Sequence, residues 1–258
     1  MTVNALRVVE AGARVYRRTW RGSVISTFLN PVLYLLAMGV GLGSLVDEGA
    51  GGGAELGIPY LTFLAPGLLA ATAMQTGAGD ASYPVMAGIK WRKTYHAVLA
   101  TPVGVNDLVL GHLGWVGLRL LFVTAVFAGI MTAFGATTVV EGMLSVLPAV
   151  LTGLAFAAAV TAYTARLKRE TGLATLFRFG IVPLFLFSGT FFPIEQLPDA
   201  IEPFAYITPL WHGVALCRGI GLGLDFAVHP AISVAYLGLW VAAGYVLSVR
   251  QMRKRLVI

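Results

Sequence analysis

The sequence has little charge and almost no cysteine for a chain of its length. Only 12% of its 258 residues are Asp, Glu, Lys or Arg, against about 25% in an ordinary soluble domain. Cys217 is the one cysteine, which excludes an intramolecular disulfide framework and a cysteine metal site and favours a packed thiol. The sequence also has no Gly-Lys dipeptide. The nucleotide-binding motif GxxxxGK[ST] is therefore excluded, and ATP used with this chain must bind to another polypeptide.

Signatures of catalysis are missing as well. The zinc motif HExxH does not occur, and the histidines are widely scattered, at His96, His112, His212 and His229. Ser188 does not lie in a nucleophile motif with glycine two residues before the serine, because Leu186 occupies that position. These absences predict a chain with no catalytic residues and no metal site.

Long apolar runs make up most of the chain, and 57% of the residues are hydrophobic. A membrane-spanning helix needs roughly 20 mostly apolar residues. Six runs of that kind occur, at about 24–46, 59–80, 108–133, 143–165, 172–192 and 229–249. Little chain is left for a soluble domain. The sequence therefore predicts one all-α integral membrane domain, residues 1–258, with six transmembrane helices.

The positions of the basic residues predict the orientation of these helices. Except for Arg119 and Arg218, the 18 Lys and Arg residues lie before the first run, after the second run, around the loop after the fourth run (with Arg178 in the fifth run), or in the C-terminal tail. Basic flanks of this kind stay on the cytoplasmic side. We therefore expect a multi-pass protein of the plasma (inner) membrane with both termini cytoplasmic. The net charge of +6 then reflects contact with anionic lipid headgroups, and nucleic acid is not expected as a partner.

The first 22 residues have an amphipathic pattern. Apolar residues recur every three or four positions, and Arg14, Arg17 and Arg18 lie on the other side. The pattern predicts a helix over residues 1–22 that lies in the membrane interface. The alternative is a basic flank that only orients the first span.

The loop after the second run contains a helical candidate at residues 90–100. Its apolar side chains fall on one helical face and are Trp91, Tyr95, Val98 and Leu99. Its basic side chains are Lys90, Arg92 and Lys93. Thr101-Pro102 ends the helix, because a residue before proline avoids the helical region. A short cytoplasmic helix of this kind is suited to binding a soluble partner; the alternative is a helix that lies on the bilayer.

Residues 188–212 interrupt the apolar sequence before the last run. Pro193 cannot continue a helix regularly, and Pro209 breaks the chain again. Between the two prolines, a short amphipathic piece places apolar residues three or four apart, at Ile194, Leu197, Ile201 and Phe204. Irregular backbone at membrane depth requires protein or water around it. The segment therefore predicts a re-entrant or extracytoplasmic helical hairpin before the last span.

Arg119 is the one basic residue about halfway along a predicted span. A charge at that depth is costly unless it is paired or hydrated, which makes a functional role the default hypothesis. The structural alternatives are a pair with a carboxylate such as Asp80, or a side chain that reaches out to the membrane surface. A nearby group of aromatic residues is suited to lining an amphiphile pathway, or to packing against helices or lipid: Phe185, Phe187, Phe191 and Phe192.

Two segments of the chain carry a resemblance to a known family. The segment TYHAVLATPV (Thr94–Val103) resembles the cytoplasmic coupling segment of ABC-2 type exporters. The segment FSGTFFPIEQLPDAIEPFAYITPLWHGVALCRG (Phe187–Gly219) resembles their signature SG-x-FFP, which is followed by LP and a P-L-x-H element. The chain departs from the family at Tyr95-His96, where many relatives have an acidic residue. Over nearly its whole length it resembles the membrane subunits that export nodulation factors, daunorubicin-type drugs and cell-surface polysaccharides.

The resemblance implies a permease subunit of an ABC exporter for an amphipathic drug, lipid-linked compound or glycan. A second permease copy, identical or related, would complete a central pathway, and two ABC ATP-binding subunits would dock below. ATP and Mg would belong to those partners, with no cofactor in this chain. Residues 90–100 would be the coupling helix, with Arg14, Arg17 and Arg18 as a second ATPase contact. The pathway and gate would include Arg119, Phe187, Phe191, Phe192, Pro193, Ile194 and Leu197.

Two other classes of function remain open from the sequence. A stand-alone intramembrane enzyme would act without nucleotide, although the missing catalytic motifs weigh against it. A membrane assembly factor would bind a soluble partner without stimulated ATP hydrolysis or movement of cargo.

Overall fold

The computed structural model describes residues 2–48, 57–196, 198, 202–223 and 226–257, and within them every regular element is helical. The main helices are α1 Val3–Tyr34, α2 Tyr60–Asp80, α3 Val105–Ala133, α4 Val139–Arg166, α5 Thr171–Phe187, α6 Pro209–Leu222 and α7 Pro230–Leu256. Shorter pieces are Leu35–Leu42, Gly43–Glu48, Tyr83–Met86, Ala87–Trp91, Thr94–Leu99, Ile194–Gln196 and Glu202–Tyr206. The predicted all-α class is confirmed.

Four helical segments are long and apolar enough to cross a membrane. They are Trp20–Leu42, Val105–Ala133, Val139–Arg166 and Pro230–Leu256, so the chain is a multi-pass membrane protein. The other two predicted spans coincide with α2 and α5. Gly and Thr residues dilute the hydropathy of α2, which is surrounded mainly by protein, and α5 has only 17 residues. The structure thus supports four of the six predicted spans by length and composition.

Local sequence signals explain where several helices begin. Thr138 and Glu141 form a capping box at the start of α4, in which each side chain accepts a hydrogen bond from the other residue's backbone N–H. Thr208 caps α6 by accepting from the Trp211 backbone N–H at 3.3 Å, and Pro209 follows at the first helical position. Proline is suited to that position because it lacks only an N–H that has no partner within the helix.

Small residues set the distances between the central helices. Gly77 of α2 lies directly against the backbone of Gly153 in α4, where a Cβ atom would fall on the Gly153 carbonyl oxygen. At the contact of α7 with α4, a Cβ on Gly244 would lie 2.7 Å from Ala158. Close approach of this kind replaces the hydrophobic effect as a source of packing energy between helices in lipid. Helices α2 and α4 therefore form the centre of the bundle.

The predicted interface helix at the N-terminus is not a separate element. Helix α1 runs without interruption from Val3 to Tyr34, so the amphipathic part continues directly into the apolar segment Trp20–Leu42. The first part of α1 packs along α3, with Gly12 under the Trp115 ring and Gly111 against Val8. The predicted helix is therefore present from Val3 onward but does not end at residue 22, because one glycine at Gly22 does not end a helix.

Helix α6 runs antiparallel to α4 and ends where α4 begins. Along the two helices, Gly213 contacts Thr152 and Gly221 lies close to Ser145. Gly223, with a φ of 60°, then closes the helix in the left-handed conformation that favours glycine. Helix α6 therefore starts inside the bundle and returns toward the end from which α7 departs.

Candidate functional site

Both termini lie at one end of the bundle, together with the loop of residues 81–104. The Asn4 side chain donates to the Pro102 carbonyl oxygen at 3.1 Å, and Arg255 donates to the Leu167 carbonyl oxygen at 2.6 Å. We call this the basic end, because it carries the arginine-rich start of α1, the loops 81–104 and 167–170, and the C-terminal tail. The opposite end holds the starts of α2, α4 and α7 and the described part of 188–208.

The loop predicted to bind a soluble partner contains two helical pieces instead of one. The first piece ends with the π-helical turn Ala87–Trp91, and the second is Thr94–Leu99. Between them, Lys93 has a φ of 53°, the one positive φ of a non-glycine residue in the described part of the chain. The prediction of a single helix over 90–100 is therefore wrong. A left-handed residue reverses the local backbone direction and cannot continue an α-helix.

The apolar face predicted for this loop divides into an inner and an outer part. Tyr95, Val98 and Leu99 are half-buried and pack against the main core. The Tyr95 ring covers Gly88 so closely that a Cβ atom there would lie 2.8 Å from it. Burial raises the pKa of the Tyr95 phenol above its ordinary value, so the hydroxyl stays neutral. These three side chains anchor the segment on the bundle.

Trp91 points outward from the same loop. It is 49% exposed, and the three basic residues around it, Lys90, Arg92 and Lys93, are exposed as well. The loop thus exposes a large aromatic side chain next to three basic residues, and aromatic residues and arginine are enriched at interface cores. We call Lys90–Lys93 the Trp91 patch.

The three arginines predicted as a second contact are exposed on α1. Arg14 forms an ion pair with Glu10 at 2.6 Å, and Arg17 and Arg18 are exposed one turn further on. The start of α1 is tied to the chain just beyond the Trp91 patch, because Thr2 donates to the Asp107 side chain. The Trp91 patch and the arm thus belong to the same end of the molecule.

Arg119 pairs with Asp80, as the structural alternative predicts. Its Nη1 donates to an oxygen of the Asp80 carboxylate, and the guanidinium lies 5.7 Å from the centre of the Tyr16 ring. The contact joins α3, α2 and α1. The second Asp80 oxygen is buried and has no hydrogen-bond partner among the described residues. Arg119 therefore serves at least as a charge-neutralised crosslink between three helices.

The aromatic residues predicted for the pathway lie at the opposite end and occupy two environments. Phe187 is 45% exposed, whereas Phe191 packs edge-to-face on Phe185 with ring centres 5.0 Å apart. The Tyr60 hydroxyl donates to the Phe191 carbonyl oxygen at 3.0 Å, which fixes this stretch on α2. Phe191 thus contributes to packing, and Phe187 presents its ring outside the bundle.

The remaining residues predicted for the gate follow Phe191 along the chain. Phe192 and Pro193 are half-buried, while Ile194 is buried in a small separate core with Ala205 and Trp211. Leu197 lies outside the described residues. Phe192 and Ile194 therefore pack against the first turn of α6 through Trp211.

Sequence reasoning missed Arg218 as a site residue. Its Nε donates to the Phe63 carbonyl oxygen at 3.3 Å, and its Nη2 donates to the Gly189 carbonyl oxygen at 2.9 Å. The guanidinium also lies 3.7 Å from the centre of the Phe63 ring. The available signal was its isolation, since Arg218 is the single basic residue among the acidic loops on its side of the sequence.

No described residues form a site suited to a metal ion, because His, Cys, Asp and Glu side chains do not gather in groups of three or more there.

Comparison with known proteins decides the family. The model of the family described as "ABC-2 type transporter" matches residues 7–222. The chain belongs to the ABC-2 type transporter family. This ABC-2 chain is 30% identical over 242 residues to nodulation protein J of Rhizobium meliloti (strain 1021), covering 93% of this chain and 89% of that protein.

A second rhizobial relative and one from Escherichia coli also match most of the chain. Nodulation protein J of Rhizobium leguminosarum bv. trifolii is 30% identical over 254 residues, covering 94% of this chain and 92% of the relative. The inner membrane transport permease YadH of Escherichia coli (strain K12) is 22% identical over 210 residues, covering 81% of this chain and 79% of the relative. The ABC-2 chain is therefore a transporter membrane subunit, of a family that works with ABC ATP-binding subunits.

Proposed function

We propose that this chain is the permease subunit of an ATP-driven exporter that moves an amphipathic molecule out of the cytoplasm or the inner leaflet. The observation that carries the proposal is the Trp91 patch, an exposed aromatic residue with three bases on a segment anchored by Tyr95, Val98 and Leu99. The chain has no phosphate-binding motif of its own. A rigidly held, exposed patch is what a separate ATPase needs in order to transmit a displacement to the helices.

The proposed complex contains two permease copies, identical or related, and two ATP-binding subunits that hold ATP and Mg. The Trp91 patch is the main ATPase contact, and Arg14, Arg17 and Arg18 form the second. Support for a second permease copy comes from the segment Trp20–Leu42, of which only 18% is buried within this chain. Such a surface is covered by lipid or by another helix.

The proposed topology has six spans with both termini in the cytoplasm. It is supported by the basic end, where both termini meet the most arginine-rich and lysine-rich loops, in keeping with the preference of basic residues for the cytoplasmic side. In this orientation α6 is a re-entrant helix that opens toward the outside. The described residues among 191–207, with Phe187 beside them, form the external gate.

The substrate class is inferred from the surfaces that are exposed. Phe187 and the neighbouring apolar residues of α5, such as Phe179 and Val182, are exposed along one helix. Aromatic and aliphatic walls bind apolar groups without a fixed hydrogen-bond geometry. An amphipathic drug, a lipid-linked compound or a glycan with an apolar part fits such a path.

Copurification of the full chain from native membranes tests this function, with ATP hydrolysis measured on the associated protein. We expect the wild-type chain to copurify with an ATPase. The Trp91→Ala variant should copurify with at least about tenfold less ATPase, as for truncation of an interface hot spot. Trp240→Ala is the matched control, because Trp240 is 38% exposed but lies in α7, away from the basic end. A folded wild-type chain without ATPase, or equal retention by both variants, would contradict the proposal.

A further inference from the structure

Arg218 joins three separate parts of the chain at the end opposite the basic end. It belongs to α6, its Nε bonds the start of α2 at Phe63, and its Nη2 bonds the turn Ser188–Thr190 through two carbonyl oxygens, at 2.9 and 3.4 Å. The flat face of the guanidinium covers the Phe63 ring. Only arginine has a planar fork that makes such contacts at once.

The acceptors of Arg218 are all main-chain carbonyl groups. In the part of the chain that the structure describes, the two ion pairs are Arg14–Glu10 and Arg119–Asp80, and neither involves Arg218. Breaking a buried ion pair leaves two opposite charges unpaired in a medium of low dielectric constant. Breaking the Arg218 contacts separates the guanidinium from neutral carbonyl groups, which water hydrates as soon as it enters. The Glu195 carboxylate also attracts Arg218, but from beyond ion-pair distance. The Arg218 crosslink is therefore strong while water is excluded, and it can be released once water reaches the carbonyl groups.

The Ser188–Thr190 turn, which Arg218 holds in place, also contains groups that destabilise its buried position. The hydroxyl groups of Ser188 and Thr190 are buried and make no hydrogen bond within the described part of the chain. A buried hydroxyl without a partner is destabilising, and water satisfies it on exposure. Gly189 between them has a φ of 79°, so the turn is built for glycine. The closed turn is thus favoured by Arg218 and disfavoured by its own side chains.

The first turn of α6 has a different attachment. The His212 Nδ1 atom lies 3.0 Å from the Ser233 hydroxyl of α7, and the His212 ring meets Trp211 edge-on and packs at a tilt against Tyr236. Near its other end, α6 is held on the side of α2 by Arg218. The first turn of α6 is therefore held by aromatic contacts with α7. The other end is held by the Arg218 hydrogen bonds, which water can replace.

We propose that Arg218 is a latch that holds α6 and the Ser188–Thr190 turn closed against α2, and that its release opens the outer end of the bundle. Arg218 is a positioning residue, since it acts by placing the gate. The proposed opening stands on its own, and only its role in releasing a substrate rests on the proposed transport function.

Thiol labelling tests the latch on the purified full-length chain in proteoliposomes, without any ATPase. Alkylation requires the thiolate, which forms readily only where water reaches the sulfur. Cys217, next to Arg218, is fully buried and gives a signal without background from other cysteines. A second reporter, Thr190→Cys in a Cys217→Ser background, reads the turn itself, because Thr190 is also fully buried.

We expect both reporters to be protected when Arg218 is present. With Arg218→Met, alkylation by a membrane-permeant maleimide should become roughly tenfold faster or more, the factor that loss of a charge-assisted hydrogen bond gives to an opening equilibrium. Arg218→Lys keeps the charge but not the fork, so its rate should be intermediate. In that lysine background Thr190→Val should slow Cys217 labelling, because the closed turn no longer buries an unpaired hydroxyl.

Gly244→Ala is the control for general destabilisation, since it crowds the contact of α7 with α4 and leaves the latch intact. It should lower the melting temperature without faster labelling. The proposal is overturned if folded Arg218→Lys and Arg218→Met chains label at the wild-type rate, or if Gly244→Ala, at an equal loss of melting temperature, labels as fast. Failure of ATPase copurification leaves this result untouched, so the two proposals fail separately.

Discussion

Two arginines inside the helix bundle are stabilised in different ways. Arg119 is paired with a carboxylate, Asp80, and touches the Tyr16 ring, whereas Arg218 bonds only carbonyl oxygens and the Phe63 ring. The first contact neutralises its charge and is expensive to separate. The second joins Arg218 to neutral carbonyl groups that water can hydrate, and the Glu195 carboxylate attracts Arg218 only from beyond ion-pair distance. The bundle therefore has a permanent crosslink nearer the basic end and a releasable one at the opposite end.

The largest effect should come from removing the carboxylate of the permanent crosslink. Asp80→Ala leaves Arg119 unpaired between three helices, which should reduce the free energy of unfolding by about 3 kcal/mol or more. The measurement is the melting temperature of the purified chain in detergent. The double variant Asp80→Asn/Arg119→Met removes both charges and should recover much of the loss. Equal melting of Asp80→Ala and the double variant would show that the pair is not coupled.

A smaller effect is expected at a third arginine, which also bonds carbonyl groups. Arg255 donates to the Ala165 carbonyl oxygen at 2.9 Å and to that of Leu167 at 2.6 Å, and so caps the end of α4. Arg255→Met should cost about 1–3 kcal/mol of unfolding free energy. The control is Arg253→Met, an exposed arginine two residues away. If both variants melt alike, carbonyl bonding by arginine contributes little here.

The smallest effect is expected at the exposed ion pair of Arg14 and Glu10. Both side chains are mostly solvent-accessible, so Arg14→Ala should change the unfolding free energy by less than about 0.5 kcal/mol. Under the proposed function the same variant should weaken ATPase copurification, because the arm is the second contact. Melting and copurification measured on one preparation separate the two roles. A large drop in melting temperature would show that Arg14, like Arg119, forms an ion pair that stabilises the fold.

Much of the helical architecture could be predicted because the apolar runs are long. The run at 108–133 corresponds to α3, and the run at 143–165 lies within α4. The extra turn at the start of α4 follows from the Thr138–Glu141 capping box, a signal present in the sequence. The pairing of Arg119 with Asp80 could also be predicted, since a deep charge requires a partner.

Other features depend on tertiary contacts and have no local signal. Nothing in the side chain of Lys93 favours a left-handed conformation, so the break between Trp91 and Thr94 could not be expected. The packing of α1 on α3 depends on glycine contacts at Gly12 and Gly111, which are about a hundred residues apart in sequence. The carbonyl partners of Arg218 are likewise distant in sequence, because the Phe63 carbonyl is 155 positions away.

The unbroken length of α1 gives the molecule a mechanical lever. At 1.5 Å per residue, a helix of 32 residues is about 48 Å long, so it reaches from the exposed arginines of the basic end deep into the apolar part. If a helix of that length tilts as a rigid body, a small displacement of one end produces a displacement of the other end. Pro31 and the π-helical stretch Leu35–Leu42 mark where that stiffness gives way. A tilt of α1 at the basic end would therefore act on α2 through the Leu35–Leu42 segment, where Gly39 meets Leu61.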